Sequence, residues 1–381
     1  MGISLFSFFS GVGMLDLAFE RNGYNIVLVN EYDQRFLEAY QYSRQLLGIA
    51  PPIYGYYNKS AEYFSKKRGK RQLFRMMAQE RNKRQIVGFI GGPPCPDFSV
   101  AGKNHGAEGK HGKLTKTYFD IICRCRPDFF VFENVKGLVK TQKHKLFYEE
   151  MQRKLIANNY CLSHRLLNSL AFGVPQYRER EIMIGINSEF LANLQIHTSV
   201  EGYFAFPWDQ YAIDTVENIL KQNWPISQQF IVDSHIENQW TDMDELTVEY
   251  WFRCNDVGHH PNADDQFEVK KGRAKMERIE EGDTSRKSFK RLHRWKYSPT
   301  ACYGNNEVHL HPYKVRRLSV AEAMAIQSLP SEFVLPPNMS LSSKFKTIGN
   351  GVPYKLSEAI AKTLFEFLVA NQEDNHERNQ D

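Results

Sequence analysis

The apolar positions of the first third of the chain fall into two alternating patterns. Residues 4–9 and 26–30 are short apolar segments of strand length, and 86–90 and 129–132 are continuous apolar runs ending at polar or Gly/Pro residues, as expected of parallel strands covered on both faces. A glycine turn and an amphipathic stretch over 15–21 separate the first two, so the chain opens as a βαβ unit. The region predicts an α/β fold, a doubly wound and mostly parallel sheet. Near Asn187 the pattern changes. From there to about His311 the chain is rich in Trp, Asn, Asp and His, with poor periodicity and no repeat, which predicts a second, smaller domain. Periodicity returns with Ser319-Val-Ala-Glu322, a capping box opening a helix that carries residues 324–327, and with Ile348-Gly-Asn-Gly-Val-Pro353 ahead of a last amphipathic helix over 356–368. The expected frame is residues 1–186 plus 330–370 as one domain, 187–329 as the smaller one, and 371–381 as a frayed polar tail.

Composition narrows the classes. At 381 residues, 42% hydrophobic and 13% aromatic, the chain is too rich in core formers for disorder, and no stretch approaches the roughly 20 apolar residues of a membrane helix. The apolar N-terminus lacks a basic flank and a small-residue cleavage site. It also has Phe6 where a myristoylation signal wants Ser or Thr. Six cysteines without a C-x-x-C pair fit reduced thiols in a cell and speak against zinc or any other metal. Net charge is only +5. It is unevenly spread, with ten Lys/Arg against two Glu between Lys59 and Arg84, and a second basic stretch, FKRLHRWK, over 289–296. Such stretches either follow a phosphate backbone or are solvated surface.

Four places carry candidate chemistry. Ser10-Gly11-Val12-Gly13 follows a strand and opens a helix, so its backbone N–H groups can approach a ligand. Asp16 stands where the third glycine of a dinucleotide fingerprint would be, yet Glu31, at the end of the next strand, is placed to bind ribose hydroxyls. Together they point to an adenosine-containing cofactor. Gly91-Gly-Pro-Pro-Cys95-Pro-Asp-Phe-Ser99 leaves the carboxyl end of a strand, and the prolines present the Cys95 thiol from a stiff loop. A thiol of ordinary pKa needs a cation nearby to act as a nucleophile. Arg178 and Arg180, at alternate positions in Gln176-Tyr-Arg-Glu-Arg180, can supply one or can grip an anion. Glu133 emerges from the strand FFVF at the same sheet edge, a carboxyl beside a thiol. The stretch after Ser99, with Gly102, Gly106, Gly109, Gly112, Lys103, His105, Lys110, His111 and Lys113, has the composition of a basic lid.

In chain order, SFFSGVGMLDLAFERNGY, NEYD, GGPPCPDFS, FENVKGL, QYRER, RRLSVAEAMAIQ and IGNGVP resemble the motifs of the DNA cytosine-5 methyltransferase family. The match covers residues 1 to about 186 and about 315 to 370. The resemblance implies a Rossmann-like S-adenosylmethionine methyltransferase fold in which 187–329 is a target-recognition domain. It implies that Phe9, Gly11, Gly13, Glu31, Tyr32, Asn58, Pro93, Asn350 and Val352 hold S-adenosylmethionine. Cys95, Glu133, Arg178 and Arg180 would carry the chemistry, and Ser99, Lys103, Lys110 and Gln176 would contact double-stranded DNA. Departures from the family pattern are Ser7 for an Asp, Met14 for a Gly, Pro96 for a Gln, and Asn58 near a usual Asp. The implied protein is a cytoplasmic, nucleoid-associated monomer with no membrane partner, paired in function with a restriction endonuclease. Two alternatives are an RNA cytosine-5 methyltransferase, whose Cys-Phe-Thr tripeptide is absent here, and a DNA-binding regulator that has lost catalysis, against which the intact Cys95, Glu133, Arg178 and Arg180 count.

Overall fold

The computed structural model describes residues 2–94, 110–269, 272–286, 288–300, 303 and 308–378, with 110–111 and 370–378 described as backbone alone. The four predicted segments become β1, β2, β4 and β5 of one seven-stranded sheet, whose strands are β1 (Ile3–Phe8), β2 (Tyr24–Asn30), β3 (Tyr56–Tyr57), β4 (Ile86–Gly91), β5 (Phe129–Val135), β6 (Tyr160–Asn168) and β7 (Glu179–Asn187). The order is β3-β2-β1-β4-β5-β7-β6. Strand β7 runs antiparallel to both neighbours, and the other pairs are parallel. The predicted doubly wound α/β class is the observed one.

Side chains of β1 enter opposite cores, Ile3 and Leu5 on one face, Phe6 and Phe8 on the other, which is why the run is dominated by large apolar residues, with only the small Ser4 and Ser7 among them. The helices before β6 are α1 (Met14–Glu20), α2 (Gln34–Leu46), α3 (Glu62–Ser65), α4 (Lys67–Asn82), α5 (Lys110–Cys125), α6 (Gly137–Lys140) and α7 (Gln142–Ile156). Helices α1 and α2 cover the first face, and α4, α5 and α7 the second.

The middle of the chain holds only short elements: α8 (Ser188–Asn193), α9 (Val216–Lys221), α10 (Val248–Cys254), α11 (Arg273–Glu277), and a pair of three-residue strands, β8 (Phe289–Arg291) and β9 (Val308–Leu310). The chain returns through α12 (Val320–Ile326), α13 (Leu341–Asn350) and α14 (Tyr354–Arg378). The predicted capping box is formed, with Ser319 Oγ accepting from the Glu322 N–H and the Glu322 carboxylate accepting from the Ser319 N–H. Helix α12 packs Val320, Ala323 and Met324 against α1 and α2, and Ala325 and Ile326 against Trp251 and Phe252 of α10. The backbone of α14 stays helical to Arg378, past the end predicted at Leu368. Among the described residues no helix is long and apolar enough to cross a membrane.

Candidate active site

Strand order reverses between β1 and β4, and at such a switch point the loops leaving the carboxyl ends diverge and open a crevice. The register there is explicit. Asn30, Phe8, Gly91 and Phe132 are partners in one cross-strand row, so the next residue of each strand or loop, Glu31, Phe9, Gly92 and Glu133, forms the carboxyl edge. With neighbouring strands ~4.8 Å apart, Glu31 and Glu133 stand about 14 Å apart across it.

At the β1 end, Gly11 and Gly13 have φ of +57° and +80°, the left-handed region that glycine enters without a Cβ penalty. The Gly11 N–H donates to Glu31 Oε2 at 2.8 Å, and the Asp33 N–H donates to Oε1 at 2.7 Å. Burial raises the Glu31 carboxyl above the usual range, opposed by the N–H bonds of Asp33, Gly11 and Tyr32. A Cβ on Gly11 would meet nothing closer than Thr347 Oγ1 at 4.0 Å, so the face of the turn is open. Tyr32 is 72% exposed, and Phe9 stands edge-on to Tyr118, 5.9 Å between centroids. Asn58 Nδ2 donates to the carbonyls of Glu31 and Tyr32 at 3.1 and 2.9 Å. The open turn, the acid at its edge and two aromatic rings fit the adenosyl cofactor implied by the sequence.

The returning chain closes the other side of the turn. Asn350, exposed, ends α13, and Val352 is buried just beyond it. Met14, at a position the resembled family often gives to glycine, lies against Gly351, where an added Cβ would come within 2.8 Å of Met14 Cε.

At the β5 end, Glu133 is 8% exposed and pairs with Arg180, Nε to Oε1 2.8 Å. The pair is diagonal across the antiparallel ladder, because Arg180 is opposite Val135. Running antiparallel, β7 begins at the carboxyl edge and thereby delivers 178–180 to the crevice. Burial raises the Glu133 carboxyl, and Arg180 and Arg178 pull in the opposite direction. Gly92 lies directly against this acid, where a Cβ would sit 2.6 Å from Glu133 Oε2. Pro93 is buried behind it.

Cys95, Ser99 and Lys103 lie outside the described residues, as do Pro96 and most of the basic stretch that follows, and Lys110 is described only as the backbone start of α5. Among the described cysteines, burial pushes Cys123 up to about 11 and Cys125 up to about 12, and raises Cys161 as well. Those thiols make poor nucleophiles.

Arg178 and Gln176 do something the sequence did not suggest. Arg178 is fully buried, and its Nη2 donates to the carbonyls of Gly349 and Gly351 at 2.6 and 3.0 Å. It clamps the loop carrying Asn350. Gln176, expected at the DNA, is also fully buried and donates to Gln327 Oε1 at 3.1 Å, while Gln327 Nε2 donates to the Ile348 carbonyl at 2.6 Å. A glutamine satisfied in this way is an internal strut, because leaving buried amides unpaired is costly. Gln327 and Gly92 were missed as contributors, although both stand in motifs that the sequence reading singled out.

The basic stretch 289–296 divides. Arg291 and Arg294 are buried, 0% and 3% exposed, so neither the phosphate-tracking nor the solvated reading holds for them. Lys290 and Lys296 instead line a cavity of about 530 Å³ with Tyr177, His293, Tyr297 and Thr300. The Thr300 hydroxyl donates to the Tyr177 carbonyl at 2.8 Å, which joins the cavity wall to the segment that carries Arg178 into β7. Among the described residues no group of three or more His, Cys, Asp or Glu could hold a metal ion.

Comparison with known proteins gives the family and the fold. The chain is 48% identical over 374 residues to the type II methyltransferase M.NmeDI of Neisseria meningitidis serogroup C, covering 98% of this chain and 85% of that protein. It is 28% identical over 378 residues to M.FnuDI of Fusobacterium nucleatum, covering 96% and 95%. Two crystal structures share the fold. One is a prophage-encoded E. coli protein described as a DNA modification methyltransferase (TM-score 0.64, 20% identity, 96% and 99% covered), and the other is the S. pombe Dnmt2 methyltransferase (0.57, 11%, 97% and 100%). The C-5 cytosine-specific DNA methylase model matches residues 3–366, and the chain belongs to that family of DNA (cytosine-5) methyltransferases.

Proposed function

We propose that this enzyme methylates C5 of a cytosine flipped out of a specific double-stranded DNA sequence, through a covalent bond from Cys95 to C6, and that it protects host DNA as one half of a restriction–modification pair. The observation that carries this reading is the register row: it sets Glu31, Phe9, Gly92 and Glu133 along one sheet edge, with the loop to Cys95 leaving beside Glu133. Bound S-adenosylmethionine supplies an electrophilic methyl group on a sulfonium. Glu31, Phe9, Tyr32, Asn58, Pro93, Asn350 and Val352 would hold it over the turn shaped by Gly13, with Gly11 leaving it room.

C5 of cytosine is too weak a nucleophile to take that methyl unaided. The Cys95 thiolate forms an S–C6 bond, the C5=C6 electron pair shifts to make C4=C5, and N3 takes a proton from Glu133, whose burial keeps the acid form available. C5, now enamine-like, forms the C–CH₃ bond, the electrons of the breaking sulfonium bond stay with sulfur, and the N3 proton returns to the Glu133 carboxylate. Loss of the C5 proton to a base restores C5=C6 and expels the Cys95 thiolate. Arg180 orients the Glu133 carboxyl, and Arg178 sets the loop of Asn350 beside it. The base must leave the helix to reach this crevice. Ser99, Lys103 and Lys110 belong to the stretch after Cys95 whose composition is that of a basic lid, and they would contact the DNA. Lys290 and Lys296 are hydrogen-bond donors suited to phosphates or purine acceptor edges of the flanking duplex.

Cys95→Ser is expected to abolish methylation while retaining DNA binding, and DNA containing 5-fluorocytosine to trap a covalent adduct with the wild type only. An adduct surviving the substitution overturns the mechanism. Bisulfite sequencing of DNA from cells expressing the chain reads the target site, and unmodified DNA beside methylated RNA would overturn the substrate.

A further inference from the structure

Behind the glycine turn, on the side away from the crevice, sits a buried guanidinium. Arg44, in the last turn of α2, is 2% exposed. Its Nη2 donates to the Gly13 carbonyl at 2.7 Å, its Nη1 to the Val12 carbonyl at 3.5 Å, and its Nε to Glu20 Oε2 at 2.8 Å. The guanidinium stacks on the Tyr40 ring, 4.3 Å from its centroid, and the Tyr40 hydroxyl donates to Asp16 Oδ2 at 3.1 Å. Both partners press on Gly13, where a Cβ would meet Tyr40 Cδ2 at 2.6 Å and Arg44 Nη2 at 2.7 Å.

A buried charge network of this kind is weak evidence for stability, since desolvation offsets most of the attraction. Its geometry is more telling. Glu31, two residues before the Asp33 N-cap of α2, accepts the Gly11 N–H, whereas Arg44 at the far end of α2 takes the Val12 and Gly13 carbonyls. The segment from Glu31 through α2 therefore holds the turn both by a donor and by its acceptors. A planar fork spreads its donors over three nitrogens to reach two carbonyls and a carboxylate in one plane, a geometry that the single tetrahedral nitrogen of an ammonium cannot match.

We infer that Arg44 is a positioning residue for the methyl donor: it holds the Val12–Gly13 peptides so that the open face of the turn keeps the shape the adenosyl group binds. This rests on the reading of the turn as the donor site. Arg44→Lys keeps the charge and loses the fork, so the KM for S-adenosylmethionine and the Kd for S-adenosylhomocysteine rise about tenfold. The KM for DNA and kcat at saturating donor change less than twofold. Tyr40→Phe keeps the ring under the guanidinium and leaves both KM values near wild type. Equal losses in donor and DNA KM, or equal effects of the two substitutions, would show general softening and overturn the inference. Glu31→Ala separates the two levels. If it abolishes S-adenosylhomocysteine binding in calorimetry while Arg44→Lys leaves binding intact, only the role of Arg44 fails. If neither changes binding, the donor site itself has been misread.

Discussion

The sheet edge and the middle of the chain solve the same problem by different means. At the edge, Glu31, Phe9, Gly92 and Glu133 hold their relative positions because the residues before them are paired in one ladder row. The middle has only three-residue strands, and there side chains do what ladders do elsewhere. Arg291 donates to the carbonyls of Met276, Ile279, His311 and Lys314 at 2.6 to 3.0 Å and lies over Phe230. Arg294 grips both oxygens of Glu281 at 2.8 Å, and the Ser234 carbonyl and hydroxyl at 2.6 and 2.8 Å. Backbone ladders fix spacing to a strand width and serve chemistry, whereas arginine hubs tie irregular loops that can differ freely between binding surfaces.

That contrast can be broken from either side. The largest effect is expected at the edge: Glu133→Gln lowers kcat by roughly 10²- to 10⁴-fold and leaves the unfolding midpoint and donor affinity unchanged. Because burial raises the Glu133 carboxyl, the wild-type enzyme keeps its proton where an ordinary carboxylate has lost it. The single-turnover rate should therefore fall as pH climbs through that raised value, and the variant should lack that limb. In the middle the order reverses. Arg291→Met strips four carbonyls of their donor and costs about 3–5 kcal/mol in denaturant unfolding. Hydrogen exchange should speed up around 276–314 and stay unchanged in β1 and β4, and uniform loss of protection would mean that the hub supports the whole molecule. The smallest effect belongs to the cavity: replacing Lys290 or Lys296 by Gln lowers the slope of log K against log salt by about 1 if it meets a phosphate. An unchanged slope with relaxed site preference would place a base edge there instead.

Arginine also marks where sequence reading stopped. Arg44, Arg178 and Arg291 are the largest fully buried side chains described, and each holds backbone carbonyls. A lone Arg in a polar-looking stretch carries no periodic signal of burial, so 289–296 read as surface charge. Helix length was misread for a similar reason, since the polar residues after Leu368 say nothing about whether the backbone of α14 continues.

The sequence by itself determined four strands of the parallel half, β1, β2, β4 and β5, and the glycine turn with its distant acid, and it nominated the set of thiol, carboxylate and arginines, because hydrophobic period and rare residue combinations are local properties of the chain. Tertiary structure alone decided the reversed direction of β7 that brings Arg180 to Glu133, the contact of Gly92 with that acid, and the assignment of Arg178 and Gln176 to holding the returning chain. Those outcomes depend on register and on which buried carbonyls lack a partner, and both are set only when distant segments meet.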